Sequence, residues 1–216
     1  MPPTTVDENY ADVTLAALAA FPLDRPVSLL MRHSLRVPIL ENKDVYLAGL
    51  TAEGAGIARR FGDQISKIHG VGRILSSPVS RCVDTAIWIA QGADWHHFIE
   101  ISDILSHPFM LPVLNLMPPG PQDGSTPVQV SALLNLLIAG HSSSTSVDLF
   151  VTHDTVIEAL AGYLLAAELR TDGNVPNYME ALFVWVEDSN IYLSWRNYRF
   201  SVSKSLLKMG NPERIN

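Results

Sequence analysis

Three basic side chains follow an apolar run near the start of the chain, in the stretch LLMRHSLRVP at 29–38. Arg32, His33 and Arg36 lie within five positions of one another. Planar guanidinium groups bind oxyanions through paired hydrogen bonds, and a neutral imidazole is an effective nucleophile. The stretch therefore indicates an anion site that contains a nucleophile.

Two later clusters carry residues of the same kind. The sequence SPVSR at 77–81 ends on Arg81, and THD at 152–154 contains His153 and Asp154. The transition state of a phosphomonoester spreads charge over three equatorial oxygens, so several guanidinium groups together form a suitable clamp. Its leaving oxygen needs a proton, which a carboxyl group such as that of Asp154 supplies. The clusters together predict phosphoryl chemistry.

Each cluster follows a short apolar run that predicts a buried strand, at 27–31, 73–77 and 147–151. Helices are predicted from Thr51 onward and at 79–90, 128–139 and 156–169. Strands that alternate with helices indicate an α/β domain with a mainly parallel sheet. Ligands of such sheets bind beyond the carboxyl ends of the strands, so we expect the three clusters to converge on one crevice.

The rest of the chain is predicted to complete a single domain over 1–216. Residues 98–101 indicate a third strand, and 181–186 with 191–195 indicate a hairpin around Asp188 and Ser189. Between 104 and 127 six prolines are interleaved with apolar residues, which predicts a long loop or a small cap. This segment and the residues before Thr51 would set substrate preference.

Composition limits the class of partner. The net charge of −7 and the pI near 5.4 argue against nucleic acid or an anionic membrane as the main partner. Cys82 is the single cysteine, which excludes an intramolecular disulfide and fits a reducing cytoplasm. No apolar run reaches the roughly 18 residues that a membrane span needs. A cytoplasmic protein is therefore expected, and its oligomeric state is left open.

The segments RHSLRVP at 32–38, SSPVSRCVDTA at 76–86 and THDTVI at 152–157 together resemble the histidine phosphatase superfamily in order and spacing. The resemblance implies a phosphoglycerate mutase-like fold, a three-layer α/β/α sandwich, with no metal and no cofactor. It implies that His33 accepts the phosphoryl group. Arg32, Arg36, Arg81 and His153 would bind the phosphate.

The resemblance offers more than one proton donor, and the sequence departs from the motif at one position. RHSLRVP and the His-Asp pair resemble the acid phosphatase branch, which favours Asp154 as the acid. The short chain resembles the mutase branch, in which Glu100 or Asp103 would serve, and we favour Asp154 over Asp103 because it adjoins His153. Ser34 replaces the motif glycine, so it would be strained if that position needs a positive φ and would fit if only small size matters.

The leading hypothesis is a phosphatase that acts on a small-molecule or peptide phosphomonoester through a phosphohistidine, without metal. Alternatives are a phosphomutase of the same superfamily and a non-catalytic module that binds a phosphate ligand. A helical metal-dependent hydrolase is disfavoured because a strand leads directly into Thr152. Cys82 is expected in the core, and the remaining histidines lack metal-ligand spacing and are expected to pack or be solvated: His69, His96, His97, His107 and His141.

Overall fold

The computed structural model describes residues 10–22, 24–40, 45–115, 127–139, 146–165 and 175–209. The helices in these residues are α1 (Tyr10–Ala19), α2 (Ala52–Ile68), α3 (Ser80–Gly92), α4 (His107–Asn115), α5 (Val128–Ile138) and α6 (Asp154–Leu165). The strands are β1 (Val27–Arg32), β2 (Gly70–Ser76), β3 (Glu100–Ile101), β4 (Ser146–Thr152), β5 (Ala181–Glu187), β6 (Asn190–Trp195) and β7 (Tyr198–Ser203). Two 3₁₀ turns lie at Asp103–Leu105 and Lys204–Met209.

The strands form one mixed sheet in the order β3-β2-β4-β1-β5-β6-β7. The pairings from β3 to β1 are parallel, and those from β1 to β7 are antiparallel. The α/β prediction is confirmed, but the sheet is only partly parallel. Two-residue turns join β5 to β6 and β6 to β7, and such short connections allow only antiparallel neighbours. Their first residues, Asp188 and Arg196, have φ of 51° and 54°, as hairpin turns of this kind require.

Helices cover both faces of the sheet, which gives the predicted three-layer sandwich. One apolar cluster joins α1, α2 and α3 to one face, and a second joins α4, α5 and α6 to the other. Strand β1 is central: Leu29 and Met31 belong to the first cluster, and Leu30 belongs to the second. All three side chains are fully buried, as predicted for a strand covered on both sides.

The proline-rich segment begins with regular structure. The 3₁₀ turn and α4 occupy its first half, and Pro112 lies inside α4. Residues 116–126 lie outside the described residues, so the single domain with a loop or cap at 104–127 stays a prediction. Helix α6 begins two residues earlier than predicted, at Asp154, and the predicted extension over 166–169 also lies outside the described residues.

Helix α1 and strand β7 are present although they are not among the elements predicted from the sequence. Within the described part of the chain, we find no helix with the length and apolar character needed to span a membrane.

Candidate active site

The three predicted clusters meet at one edge of the sheet. Strands β2, β4 and β1 are parallel neighbours, so the residues after their carboxyl ends lie side by side. A cavity of about 220 Å³ opens there. Its lining includes six residues that the sequence analysis singled out, Arg32, His33, Arg36, Arg81, His153 and Asp154. Glu100 and Asp103, the alternative acids, are not among the lining residues.

His33 is positioned by the end of β1 and presents one ring nitrogen to the cavity. Its backbone N–H donates to the Thr152 carbonyl at 2.9 Å, which ties it to the end of β4. Its Nδ1 lies 2.7 Å from the Ser34 carbonyl oxygen. A carbonyl oxygen only accepts, so Nδ1 carries the proton and Nε2 carries the lone pair.

The environment of His33 favours the neutral ring. Burial lowers its pKa well below the ordinary value, the Ser34 carbonyl opposes this shift, and the positive charge of Arg81 adds to it. Neutral imidazole with an unprotonated Nε2 is the form that can attack phosphorus.

Arg81 joins the two histidines of the site. Its Nε donates to His33 Nε2 at 3.0 Å, and its Nη2 donates to His153 Nδ1 at 3.2 Å. A third group, Nη1, donates to the Val45 carbonyl and so attaches the loop before α2 to the site. Arg81 is buried near the start of α3, two residues after Val79, which caps that helix. A single guanidinium therefore occupies the lone pairs of both rings.

His153 is also held neutral. Because Arg81 donates to Nδ1, the ring proton lies on Nε2, which is 3.2 Å from the Ser77 hydroxyl oxygen. Burial and the charge of Arg81 lower the pKa of His153 to about 4, although Asp154 opposes the shift. Both histidines are therefore uncharged at neutral pH.

Arg32 is fixed by contacts on several sides. Its Nη2 forms an ion pair with Asp154 Oδ2 at 2.7 Å, and its Nη1 donates to the Pro176 carbonyl at 2.6 Å. The guanidinium lies over the Tyr178 ring, 4.2 Å from the ring centre. The other oxygen of Asp154 accepts the Thr155 backbone N–H at 2.8 Å. Both carboxylate oxygens of Asp154 thus have partners.

Arg36 is held less tightly than the other two arginines. Its Nη1 donates to the adjacent Val37 carbonyl at 2.9 Å, and its backbone pairs with Leu50 in an isolated bridge. Its side chain lines the same cavity, so it can add a third guanidinium to a bound oxyanion.

Ser34 fits its position because of its size. It is fully buried and is absent from the described non-glycine residues with positive φ. Its hydroxyl donates to the Gly54 carbonyl at 2.8 Å, and its N–H donates to Thr85 Oγ1 at 3.0 Å. Ser34 therefore does not carry the backbone strain that a positive φ would impose.

Two residues of the site were not identified from the sequence. His107 was expected to pack or be solvated, but it lines the cavity, with Nδ1 3.0 Å from Thr155 Oγ1. Tyr178 is not among the residues predicted for the site. Its ring lies under Arg32, and its centre is 5.7 Å from the centre of the His33 ring. Its one sequence signal is its place just before β5, which pairs with β1.

In the described residues we find no group of three or more His, Cys, Asp or Glu side chains arranged to hold a metal ion. Burial raises the pKa of the Cys82 thiol to about 12, so this core cysteine stays protonated beside His153. The site is thus built from arginine, histidine and one carboxylate.

Comparisons with known proteins give structural matches only. No family model matches the sequence, and no curated protein does. A mutant of phosphoserine phosphatase from Entamoeba histolytica, in complex with phosphoserine, is 14% identical with a TM-score of 0.52, over 78% of this chain and 95% of that chain. Ecdysone phosphate phosphatase from Bombix mori, in complex with tungstate, is 15% identical with a TM-score of 0.51, over 75% and 90%.

A third similar structure, mycobacterial hydrolase 2, is 18% identical with a TM-score of 0.54, over 84% of this chain and 94% of that chain. These matches cover most of both chains, although few residues are identical. The chain therefore shares the fold of these three proteins, a mixed sheet between two layers of helices.

Proposed function

We propose that the protein is a phosphatase that hydrolyses a phosphomonoester through a phosphohistidine on His33, without a metal ion. The observation that carries the proposal is the position of Arg81, which donates to His33 Nε2 at 3.0 Å and to His153 Nδ1 at 3.2 Å. A phosphoryl group that takes over these donors lies next to the His33 lone pair. Two structures of the same fold are named phosphatases, which supports this reaction class by analogy.

In the first step, the Nε2 lone pair of His33 attacks phosphorus. A P–N bond forms, and the P–O bond to the alcohol breaks. Arg32, Arg36 and Arg81 line the cavity and stabilise the charge on the three equatorial oxygens. The Nδ1–H to the Ser34 carbonyl aims the ring and stabilises the positive charge that develops on it.

Asp154 is the proposed proton donor to the leaving oxygen. Its carboxyl group lines the cavity beside His153, and a positioned carboxyl group can pass a proton to the leaving oxygen of a bound ester. In the second step Asp154 takes a proton from water, the water oxygen attacks phosphorus and the P–N bond breaks. Inorganic phosphate and neutral His33 remain, so protons and charge balance over the cycle.

Hydrolysis of p-nitrophenyl phosphate by the purified protein tests the proposal. Activity should persist in excess EDTA and be inhibited by vanadate, because arginines rather than a metal bind the phosphoryl group. Arg81→Ala should lower kcat/KM by about tenfold or more, since charge-assisted hydrogen bonds are lost.

Arg60→Ala, which removes an exposed arginine from α2, is the control and should leave the activity unchanged. Loss of activity on chelation, with recovery on adding a divalent ion, would contradict the metal-free reaction. Transfer of the phosphoryl group to an added alcohol or phosphomonoester, rather than to water, would indicate the phosphomutase instead.

A further inference from the structure

We infer that the alcohol part of the substrate is bulky, apolar and free of a second negative charge, and that it binds in a groove beside the phosphate cavity. This inference rests on the proposed function, because the phosphate cavity anchors the substrate. The groove, called the apolar groove below, has a volume of about 610 Å³. Its lining residues are Tyr46, Pro78, Val79, Ser80, Asp103, Ser106, Pro108 and Phe109.

The apolar groove is continuous with the phosphate cavity. Tyr46 and Val79 line both spaces, so they form a shared wall. Arg81 holds the Val45 carbonyl, which fixes the loop that carries Tyr46 against the site. A substrate whose phosphoryl group contacts Arg81 therefore has the groove directly beside it.

The same two segments build both spaces. In the turn from β2 into α3, Val79 and Arg81 line the cavity, whereas Pro78 and Ser80 line the groove. At the start of α4, His107 lines the cavity. Its neighbours on that segment, Ser106, Pro108 and Phe109, line the groove. The two spaces are therefore built from the same two segments and lie side by side.

The size of the groove suits a substantial organic group. The cavity of about 220 Å³ holds the arginines and histidines that recognise phosphate. The groove adds about 610 Å³, which falls within the range of roughly 300 to 1,000 Å³ for sites that bind organic ligands. A compact alcohol would leave most of this volume to water.

The chemistry of the lining selects an apolar group. Five of the eight residues carry apolar or aromatic side chains: Tyr46, Pro78, Val79, Pro108 and Phe109. Asp103 is the charged residue of the lining, and it would repel a second phosphate or a carboxylate. The Ser106 hydroxyl donates to the Asp103 carbonyl at 2.6 Å, so its proton is already used. Apart from Asp103 and Ser106, the side-chain polar groups of the lining are the hydroxyls of Tyr46 and Ser80, so the groove offers few polar partners to a sugar or a hydroxy acid.

Binding of two phosphonates, which cannot be hydrolysed, tests the inference by calorimetry. The purified protein should bind (2-naphthylmethyl)phosphonate at least about tenfold more tightly than methylphosphonate, because burial of the ring system in the groove is favourable. Adding a carboxylate to the naphthyl ring should remove most of this preference, and Asp103→Asn should restore part of it.

Two groove variants make the test specific. Phe109→Ala should reduce the naphthyl preference by about threefold or more, because part of the ring contact is lost. Ser80→Trp changes an exposed residue and fills the groove, so it should abolish the preference. Both should bind methylphosphonate as the wild type does. Leu111→Ala, an exposed position on the same helix outside the groove lining, is the matched control and should leave the preference intact.

Turnover of 2-naphthyl phosphate separates this inference from the proposed function. Phosphatase activity without a naphthyl preference, or with a preference that both groove variants retain, overturns the inference and leaves the phosphatase standing. Tighter binding of the naphthyl phosphonate without any turnover of the ester contradicts the proposed phosphatase function and supports the assignment of the groove. Failure of both phosphonates to bind, together with no turnover of the ester, overturns both.

Discussion

Arg81 has a dual role at the level of single residues. Its charge contributes to the low pKa of both histidines, and its N–H groups occupy their lone pairs in the unliganded protein. An incoming phosphoryl group can take these donors without a large rearrangement, because the guanidinium is already buried and oriented. This is the electrostatic preorganisation on which phosphoryl transfer depends.

Replacement of Asp154 tests the proton donor. Asp154→Asn keeps the size of the side chain and an oxygen for the Thr155 N–H, but it cannot donate a proton as a carboxyl group does. For alkyl phosphates, whose leaving group needs protonation, we expect kcat to fall by about 10²-fold or more. For p-nitrophenyl phosphate the loss should be much smaller, and steady-state kinetics on both esters measures the difference.

Asp103→Asn is the matched control for this prediction. Asp103 lines the apolar groove and not the phosphate cavity. The change in kcat that its replacement causes should therefore not depend on the leaving group. The reverse pattern, with a loss that depends on the leaving group in Asp103→Asn and a nearly silent Asp154→Asn, would identify Asp103 as the acid. It would also favour the mutase branch that the sequence left open.

Motif residues and supporting residues differ in how far the sequence predicts them. His33, Arg81 and His153 carry reactive groups at the ends of recognisable strands, so pattern and chemistry point to them together. Tyr178 and His107 carry no such pattern. His107 reaches the cavity, and Tyr178 reaches Arg32 and His33, through packing of segments distant in sequence, which local spacing does not encode.

The start of α2 packs closely against the residues that follow β1, next to His33. Thr51 caps α2 by accepting the Gly54 N–H at 2.9 Å, and the Gly54 carbonyl accepts the Ser34 hydroxyl. A Cβ on Gly54 would lie 2.1 Å from the Leu35 carbonyl oxygen. The glycine allows α2 to approach the backbone next to His33.

Replacing Gly54 and Gly56 of α2 by alanine should therefore change the free energy of unfolding in opposite directions. Gly54→Ala should lower the free energy of unfolding by about 1 to 3 kcal/mol, because backbone must move to admit the methyl group. Gly56→Ala should raise it by up to about 1 kcal/mol, since its Cβ would meet only the flexible end of Arg60 at 3.5 Å. Urea unfolding of both variants measures the difference, and equal effects would contradict this packing.

The elements that the sequence predicts are those with a strong apolar pattern. Strands β1 and β4 are mostly apolar runs, interrupted in β4 by Asp148, and α2 shows regular apolar spacing with a cap. Strand β7 lies at the edge of the sheet and alternates half-buried Tyr198, Phe200 and Val202 with exposed polar residues. This period-two alternation is itself a strand signal, so β7 could have been predicted from it. Helix α1 is rich in alanine, and its buried residues Ala11, Thr14, Leu15 and Leu18 give a weak pattern.

At the scale of the whole molecule, the buried neutral histidines link folding to pH. The pKa of His153 is about 4 in the folded protein and near 6.5 when the ring is exposed to water. Between these values the unfolded chain binds a proton at this ring and the folded chain does not. This contribution to stability is complete above pH 6.5 and is lost as the pH falls towards 4, by about 3 kcal/mol. His33 acts in the same direction.

Unfolding in urea at pH 7.5 and at pH 5 measures this effect. The loss of stability on acidification should be smaller in His153→Gln than in the wild type, because one of the two rings with a lowered pKa is absent. His96→Gln removes an exposed ring and should follow the wild type. If the free energy of unfolding fell as much between pH 7.5 and pH 5 in His153→Gln as in the wild type, the assignment of a buried, neutral His153 would be contradicted.

The central claim is that His33 accepts the phosphoryl group, and a trapping experiment tests it most directly. The wild type is mixed with ³²P-labelled phenyl phosphate, quenched rapidly in alkaline denaturant and digested, and the labelled peptide is sequenced. We predict a label on His33 that is labile to acid and stable to base, and no label in a folded His33→Ala variant. Label on Ser34 or His153, or turnover with no trapped label, would contradict the account.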